Sequence, residues 1–163
     1  MESDIAHLQS VLAGIEEEFG GDVAFLPTAN EEAVTAFEKA LNWPLPGIFR
    51  YLLTTESNGS VIGNKRILSL LDVAQRKTLV DNLERHNQAT TSPWFKERPH
   101  IFQDYLVFAT DGNVCFCYSK KYQLFNPAVY ICSNANSTKG VDFDRLDLEL
   151  ADLIRFMVDK EFS

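Results

Sequence analysis

The chain is short of basic residues, short of cysteine and without a long apolar run, and each shortage narrows what it can do. Fifteen Lys and Arg stand against twenty-three Asp and Glu, for a net charge of −8. With a pI of about 4.8, such a surface repels a phosphate backbone and argues against nucleic-acid binding through a basic footprint. The excess charge serves solubility, or steers a basic partner inward at low salt. Cys115, Cys117 and Cys132 are odd in number and lack any framework spacing, which points to a reducing compartment. No apolar run approaches the ~20 residues a membrane span requires. The opening Met-Glu-Ser-Asp is acidic where a signal peptide would be basic, so the expected location is the cytoplasm.

Chemical motifs are equally scarce. There is no Gly-x-Ser-x-Gly elbow, no phosphate-binding Gly-rich loop and no His-Glu-x-x-His. Cys115 and Cys117 fall on one face of a strand, but no Cys/His pair at zinc-finger spacing accompanies them. Two small buried apolar residues are therefore expected there, with half a zinc site as the sharper alternative. His7 lies off the apolar face of the first helix, His86 near a helix C-terminus and His100 in a long loop. Asp142, Asp144, Asp147, Glu149 and Asp152 lack the spacing and central Gly of a calcium loop. They form an acid-enriched helix start, or part of a negative surface that docks a basic protein. No catalytic residue, cofactor or metal is expected, and a small hydrolase using Cys115 or His100 is the minor alternative.

What is present is the material of one globular domain spanning residues 1–163. The composition is 45% hydrophobic and 23% charged, with twelve Phe. A chain of this length buries roughly two-thirds of its unfolded surface. Ser3 can cap a first helix, in which Ile5, Leu8, Leu12, Ile15 and Phe19 recur at steps of three and four. Gly20-Gly21 should end it in a left-handed conformation. The Glu16–Glu18 run is a solvated face or an acidic ridge. Phe25-Leu26-Pro27 reads as a connector, and Asn30 caps a second helix with Val34, Phe37 and Leu41 buried. Pro44 and Pro46 make a hard corner before a short helix carrying Ile48, Phe49, Leu52 and Leu53.

Asn58-Gly59 then offers the positive φ of a tight turn, followed by strand segments around Gly63-Asn64. Leu71–His86 reads as a polar helix, and Asn87–His100 as a long loop with Trp94 and Phe95 in its middle. Trp94 pins that loop to the core or serves as an exposed anchor. Tyr105–Thr110, Val114–Tyr118 and Ala128–Cys132 are β-prone, with Asp111-Gly112 marking a hairpin between the first two. Asn134–Gly140 is a polar turn, and Asp147 can cap a closing helix over Leu150, Leu153, Ile154, Met157 and Val158. Helices first, strands in the middle and a closing helix imply α+β: a mostly antiparallel sheet with helices packed on one face.

The order of several short motifs resembles the SUKH superfamily, the group that takes in the fungal Smi/Knr-type cell-wall assembly regulators. They are Phe37-Glu38, Leu45-Pro46, Phe49-Arg-Tyr-Leu-Leu53, Asn58-Gly59, Phe108-Ala-Thr-Asp111-Gly112 and Pro127-Ala-Val-Tyr130. A small-to-Phe stretch before the last helix fits from Phe143, so the likeness spans about residues 30 to 160. Ser60 and Asn113 depart from it, the first standing where a second glycine is common after Asn-Gly and the second where a further small residue often follows Asp-Gly. Members are mostly bacterial immunity proteins that neutralise a polymorphic toxin by binding it. The resemblance thus implies a non-catalytic protein-binding module with a cognate toxin as partner. A scaffold binding host proteins is the alternative. Glu38, Leu45, Pro46, Phe49, Asn58, Gly59, Asp111 and Gly112 would then be structural. Trp94, Phe95, Asp142 and Asp144 are the candidate contacts.

Overall fold

Among the described residues, seven short strands run in chain order through one sheet, and every neighbouring pair is antiparallel. The computed structural model describes residues 1–71, 82–90, 92–96, 99–133 and 143–163. The three-and-four spacing near the N-terminus becomes α1 (Glu2–Phe19), with Leu8, Leu12 and Ile15 buried. Ser3 lies inside this helix, and Met1 precedes it without a side-chain cap. Gly20 stays right-handed (φ −51°) and Gly21 takes no positive φ, so the expected left-handed ending is absent. A tight Asp22 N–H to Phe19 C=O bond of 2.7 Å closes the helix instead.

The expected connector at Phe25 is a strand, β1 (Val23–Phe25), paired with β2 (Ser60–Ile62). Its partner arrives thirty-odd residues later, after two helices, so no hairpin signal announces it. Asn30 caps α2 (Glu31–Leu41), its Oδ1 accepting from Ala33 N–H at 2.7 Å. Asn42 ends α2 in the left-handed conformation, at φ 53°. Beyond the two prolines comes α3 (Gly47–Tyr51), which widens into a π turn over Leu52–Glu56. Both halves point their apolar residues inward: Ile48, Phe49, Leu52 and Leu53 are all buried.

β2, β3 (Lys65–Ile67), β4 (Tyr105–Asp111) and β5 (Val114–Ser119) form the middle of the sheet. Gly63 and Gly112 each supply φ 61° at the first central position of their two-residue turns. Asn64 and Asn113 need no positive φ, so the residue after Asp111-Gly112 costs the turn nothing. Gly59 is more constrained: at φ 87°, an added Cβ would lie 2.5 Å from Ile67 O and Ser69 Oγ. Ser60 after it is an ordinary strand residue opposite Phe25 and Ile67.

A bulge at Phe108 lets Val107 face Cys117 and Ala109 face Phe116. Phe108 thereby joins Tyr118, ring to ring at 4.3 Å, and Phe49 of α3 closes the trio at 5.4 Å. Burial removes the Tyr118 hydroxyl from water with no partner among the described residues, and this pushes its pKa up.

β6 (Tyr130–Ser133) and β7 (Phe143–Arg145) complete the sheet, and α5 (Leu150–Phe162) closes the chain. β7 was not foreseen as a strand; it has only three residues, two of them charged. Glu149, not Asp147, stands at the N-cap of α5, and it makes no side-chain cap bond. α1 packs on α5 through stacked Phe19 and Phe162 rings at 5.1 Å. Glu18 of the acidic run pairs with Arg155 at 2.6 Å across the same seam. α5 also grips two hairpin turns: buried Lys65 pairs with Glu161 at 2.8 Å, and Asp111 with Lys160 at 3.1 Å.

Of the helix expected over Leu71–His86, residues 72–81 lie outside the described ones. The described end is a single turn, α4 (Leu83–His86), capped by Asn82. The polar turn at 134–140 and Asp142 also lie outside the described residues. These elements form an α+β domain with an antiparallel sheet, an N-terminal helix and a closing helix, as the element order implied.

Candidate partner-binding surface

Two loops carry the exposed and buried aromatics that bear on binding, and the Pro-flanked corner supports one of them. Glu38, at the end of α2, is the corner's clamp. Its Oε2 accepts Leu45 N–H at 2.7 Å, and its Oε1 takes Arg50 Nη1 at 2.5 Å. Arg50 reaches on to Glu31 at 2.6 Å, so one guanidinium ties both ends of α2 to α3. Pro46 precedes the first turn of α3, where its missing N–H loses no bond.

Gly47 is where the loop between β5 and β6 lands. A Cβ there would come 2.3 Å from the Phe125 ring, while Ile48 N–H donates to Phe125 O at 2.9 Å. Only glycine allows that approach. The loop's far end is held as firmly: Val129 N–H donates to Leu148 O, and Leu146 N–H to Val129 O. Asn126 donates to Asp4 and Glu149, fixing the loop to the starts of α1 and α5.

Ahead of these fixed points, between Phe125 and Lys120 (whose N–H donates to Asp104 O at 2.7 Å), Tyr122 and Leu124 stay outside, 52% and 57% exposed. They form a ridge between two concavities. One, of about 250 Å³, lies against Trp43, Pro44, Leu45 and Pro46 of the corner. The other, of about 190 Å³, is lined by Ser119, Pro127, Tyr130 and Arg145 as well as the ridge. Tyr130 and Arg145 are direct partners in the β6–β7 ladder, so their side chains stand on the same face. Behind them Tyr105 packs on Tyr130 at 5.7 Å and on Phe143 at 3.9 Å.

The corner therefore does more than set the fold. The motif residues Leu45 and Pro46 line the larger concavity. Trp43 lines it too; its indole Nε1 is buried with no partner among the described residues.

The sequence-derived contact residues lie elsewhere. Trp94 and Phe95 are buried, at 4% and 0% exposure, so neither is available as an exposed anchor. The Trp94 indole donates to His86 Nδ1 at 2.9 Å, and Phe95 meets Phe102 edge-on at 5.5 Å. An indole N–H only donates, so Nδ1 must be the accepting nitrogen. Trp94 is the loop's pin, the other of its two expected roles. Asp144 is exposed on β7, opposite Ile131 and on the other face from Arg145. Asp142 lies outside the described residues. Nothing brings Trp94, Phe95 and Asp144 onto one surface.

Asn58 and Asn87 are two buried amides that act as short strands. Asn58 Nδ2 donates to Leu70 O while its Oδ1 accepts Leu70 N–H, at 2.9 and 2.8 Å. Asn87 does the same for Val107, at 2.7 and 2.8 Å. β3 stops short of Val107, so without Asn87 that edge of β4 would lack a partner.

The thiols offer no site. Cys115, Cys117 and Cys132 are all buried, and the first two sulfurs lie 3.5 Å apart. A nucleophile at Cys115 would have no access to substrate. Among the described residues, no group of His, Cys, Asp and Glu could hold a metal ion. No described helix is long and apolar enough to cross a membrane.

The exposed ridge was missed because its local sequence, Ser119-Lys-Lys-Tyr-Gln-Leu-Phe-Asn126, looks like any polar connection, and Arg145 because three-residue β7 carries no strand signal of its own. No curated protein matches the chain. A family match, however, covers residues 28–156, from two residues before the Asn30 cap to the middle of α5. Its span takes in the Glu38 clamp, the Asn58 amide, the Gly59 and Gly112 turns and the meander. The chain belongs to the SMI1 / KNR4 family (SUKH-1).

Proposed function

We propose that this protein is a non-catalytic binding module that neutralises a polymorphic toxin by direct association, in the manner of an immunity protein. Membership of the SMI1 / KNR4 family (SUKH-1) is the observation that carries this reading. The ridge of Tyr122 and Leu124 supports a protein as the partner, because half-exposed apolar side chains flanked by concavities favour docking over solvation. Its rigid mounting on the corner keeps the ordering cost of association low. The partner is a toxin domain whose active site the bound module occludes, and a nuclease is one such domain.

Co-expression tests this directly. A neighbouring toxin gene, expressed in a sensitive host, should arrest growth alone and be tolerated when this chain accompanies it. Unchanged toxicity, with both proteins present at comparable levels, would overturn the reading. A scaffold that binds host proteins is the second function in view. An isolated gene, with host proteins recovered by pull-down and identified by mass spectrometry, would favour it.

A further inference from the structure

The partner's chemistry can be taken one step further from Arg145. Arg50, Arg66 and Arg155 each hold an acceptor. Arg145 is exposed, lines a concavity of about 190 Å³ and has no ion-pair or hydrogen-bond partner among the described residues. Lys121, in the adjoining loop, is also exposed, and its side chain has no such partner among them. In a chain of net charge −8, an unpaired guanidinium lining a pocket, with a second unpaired cation in the adjoining loop, runs against the overall sign.

Apart from Ser119, the residues that line the concavity with Arg145 are apolar or aromatic: Tyr130 directly across the ladder, Pro127, Ala128, Tyr122 and Leu124. A planar guanidinium presented this way suits a carboxylate, which it can take in two parallel bonds. The larger concavity on the far side of the ridge extends the surface past the length of one side chain. An extended segment could thus pass from one concavity to the other over Tyr122 and Leu124.

We propose that this surface captures an internal Asp or Glu of an extended protein segment, with the carboxylate on Arg145 and apolar neighbours against Tyr122 and Leu124. The proposal rests on the reading that the chain binds a protein. The molecule's overall negative field adds a restriction, since it repels a run of acids while one local arginine attracts a single acid. The preferred segment therefore carries one isolated carboxylate between apolar residues.

A random peptide library displayed with blocked C-termini, panned on the whole chain, provides the probe. The expected winners carry one Asp or Glu flanked by apolar residues. A synthetic, C-terminally amidated winner is then measured by fluorescence polarisation. Arg145→Ala should weaken it at least about tenfold, with the thermal unfolding temperature unchanged, and Arg145→Lys should weaken it less. Changing the peptide's acid to its amide should cost the same factor, and combining that change with Arg145→Ala should add little. Tyr122→Ala with Leu124→Ala should weaken binding independently of the acid. No enrichment over an unrelated protein, or winners that bind the Arg145→Ala chain equally well, would overturn the proposal. Panning does not depend on any toxin, so loss of protection in co-expression would leave its outcome standing, and the converse also holds.

Discussion

The loop after α4 and the loop between β5 and β6 both place aromatic and aliphatic side chains in otherwise polar sequence, and the fold treats them in opposite ways. In the first, Trp94 and Phe95 go inside: an indole bond to His86, a ring contact with Phe102 and the Asn87 bridge to Val107 draw the segment onto β4. In the second, Phe125 packs on Gly47 and Val129 is buried, while Tyr122 and Leu124 remain about half exposed. The difference lies in what the backbone can satisfy. Residues near Asn87 complete a sheet edge that would otherwise hold unpaired groups. Tyr122 and Leu124 lie between two backbone anchors, Lys120 N–H on Asp104 O and Ile48 N–H on Phe125 O, and between them the chain faces solvent. Aromatic content does not identify a binding loop; the backbone bonds that carry the side chain do.

The comparison breaks first at Phe95. Phe95→Ala should cost about 3–5 kcal/mol in urea unfolding, because a fully buried ring leaves a cavity. A cost below about 1 kcal/mol would mean that this loop is as loosely held as the other. Asn87→Ala should come next, at roughly 2–4 kcal/mol, since it strands the N–H and C=O of Val107 and each orphaned buried group costs about 1–3. Amide exchange sharpens that test: Val107 should lose protection faster than its neighbours in β5.

The Lys65–Glu161 contact is held by charge and should differ in kind. The Glu161 carboxyl lies below its ordinary value because the Lys65 ammonium bonds it. A carboxyl depressed in the folded state contributes stability above its unfolded value, about 4.3, and loses it as pH falls through the folded value. The stability gap between the wild type and Glu161→Gln should therefore be flat above about pH 4.3 and close below it. A gap that stays constant into acid would remove the pairing from the account. Least of all, Tyr122→Ala and Leu124→Ala should each stay within about 0.5 kcal/mol of wild type in unfolding, as exposed substitutions do. A larger cost would place these side chains in the core and out of the docking surface.

Several pieces of this molecule can be read from one dimension because their causes are local. The three-and-four stripe of α1, the Asn30 cap, the two prolines and the positive φ of Gly59 and Gly112 each depend on residues a few positions apart. The order of those pieces was enough to anticipate an α+β fold and the SUKH resemblance. β1 and β7 escaped notice because a three-residue strand is defined by its partner, and those partners lie at Ser60–Ile62 and Tyr130–Cys132. The ending of α1 was misjudged because Gly20 permits the left-handed conformation without requiring it.

The surface was less legible than the fold. The sequence by itself determined that the chain is acidic, built around aromatic residues and punctuated by Glu38, Asn58 and Asp111 motifs. It could not say that Glu38 clamps Leu45 and Arg50, or that Asn87 stands in for a strand beside Val107. Nor could it bring Arg145 beside Tyr130 and Tyr122, which are distant in the chain and meet only through the β6–β7 ladder and a loop seated on Gly47. Propensity and capping act within a few residues, and they decide which elements form. Burial and charge pairing act across the folded sheet, so tertiary structure alone decided which aromatics pack inside and that Arg145 stands exposed beside a concavity.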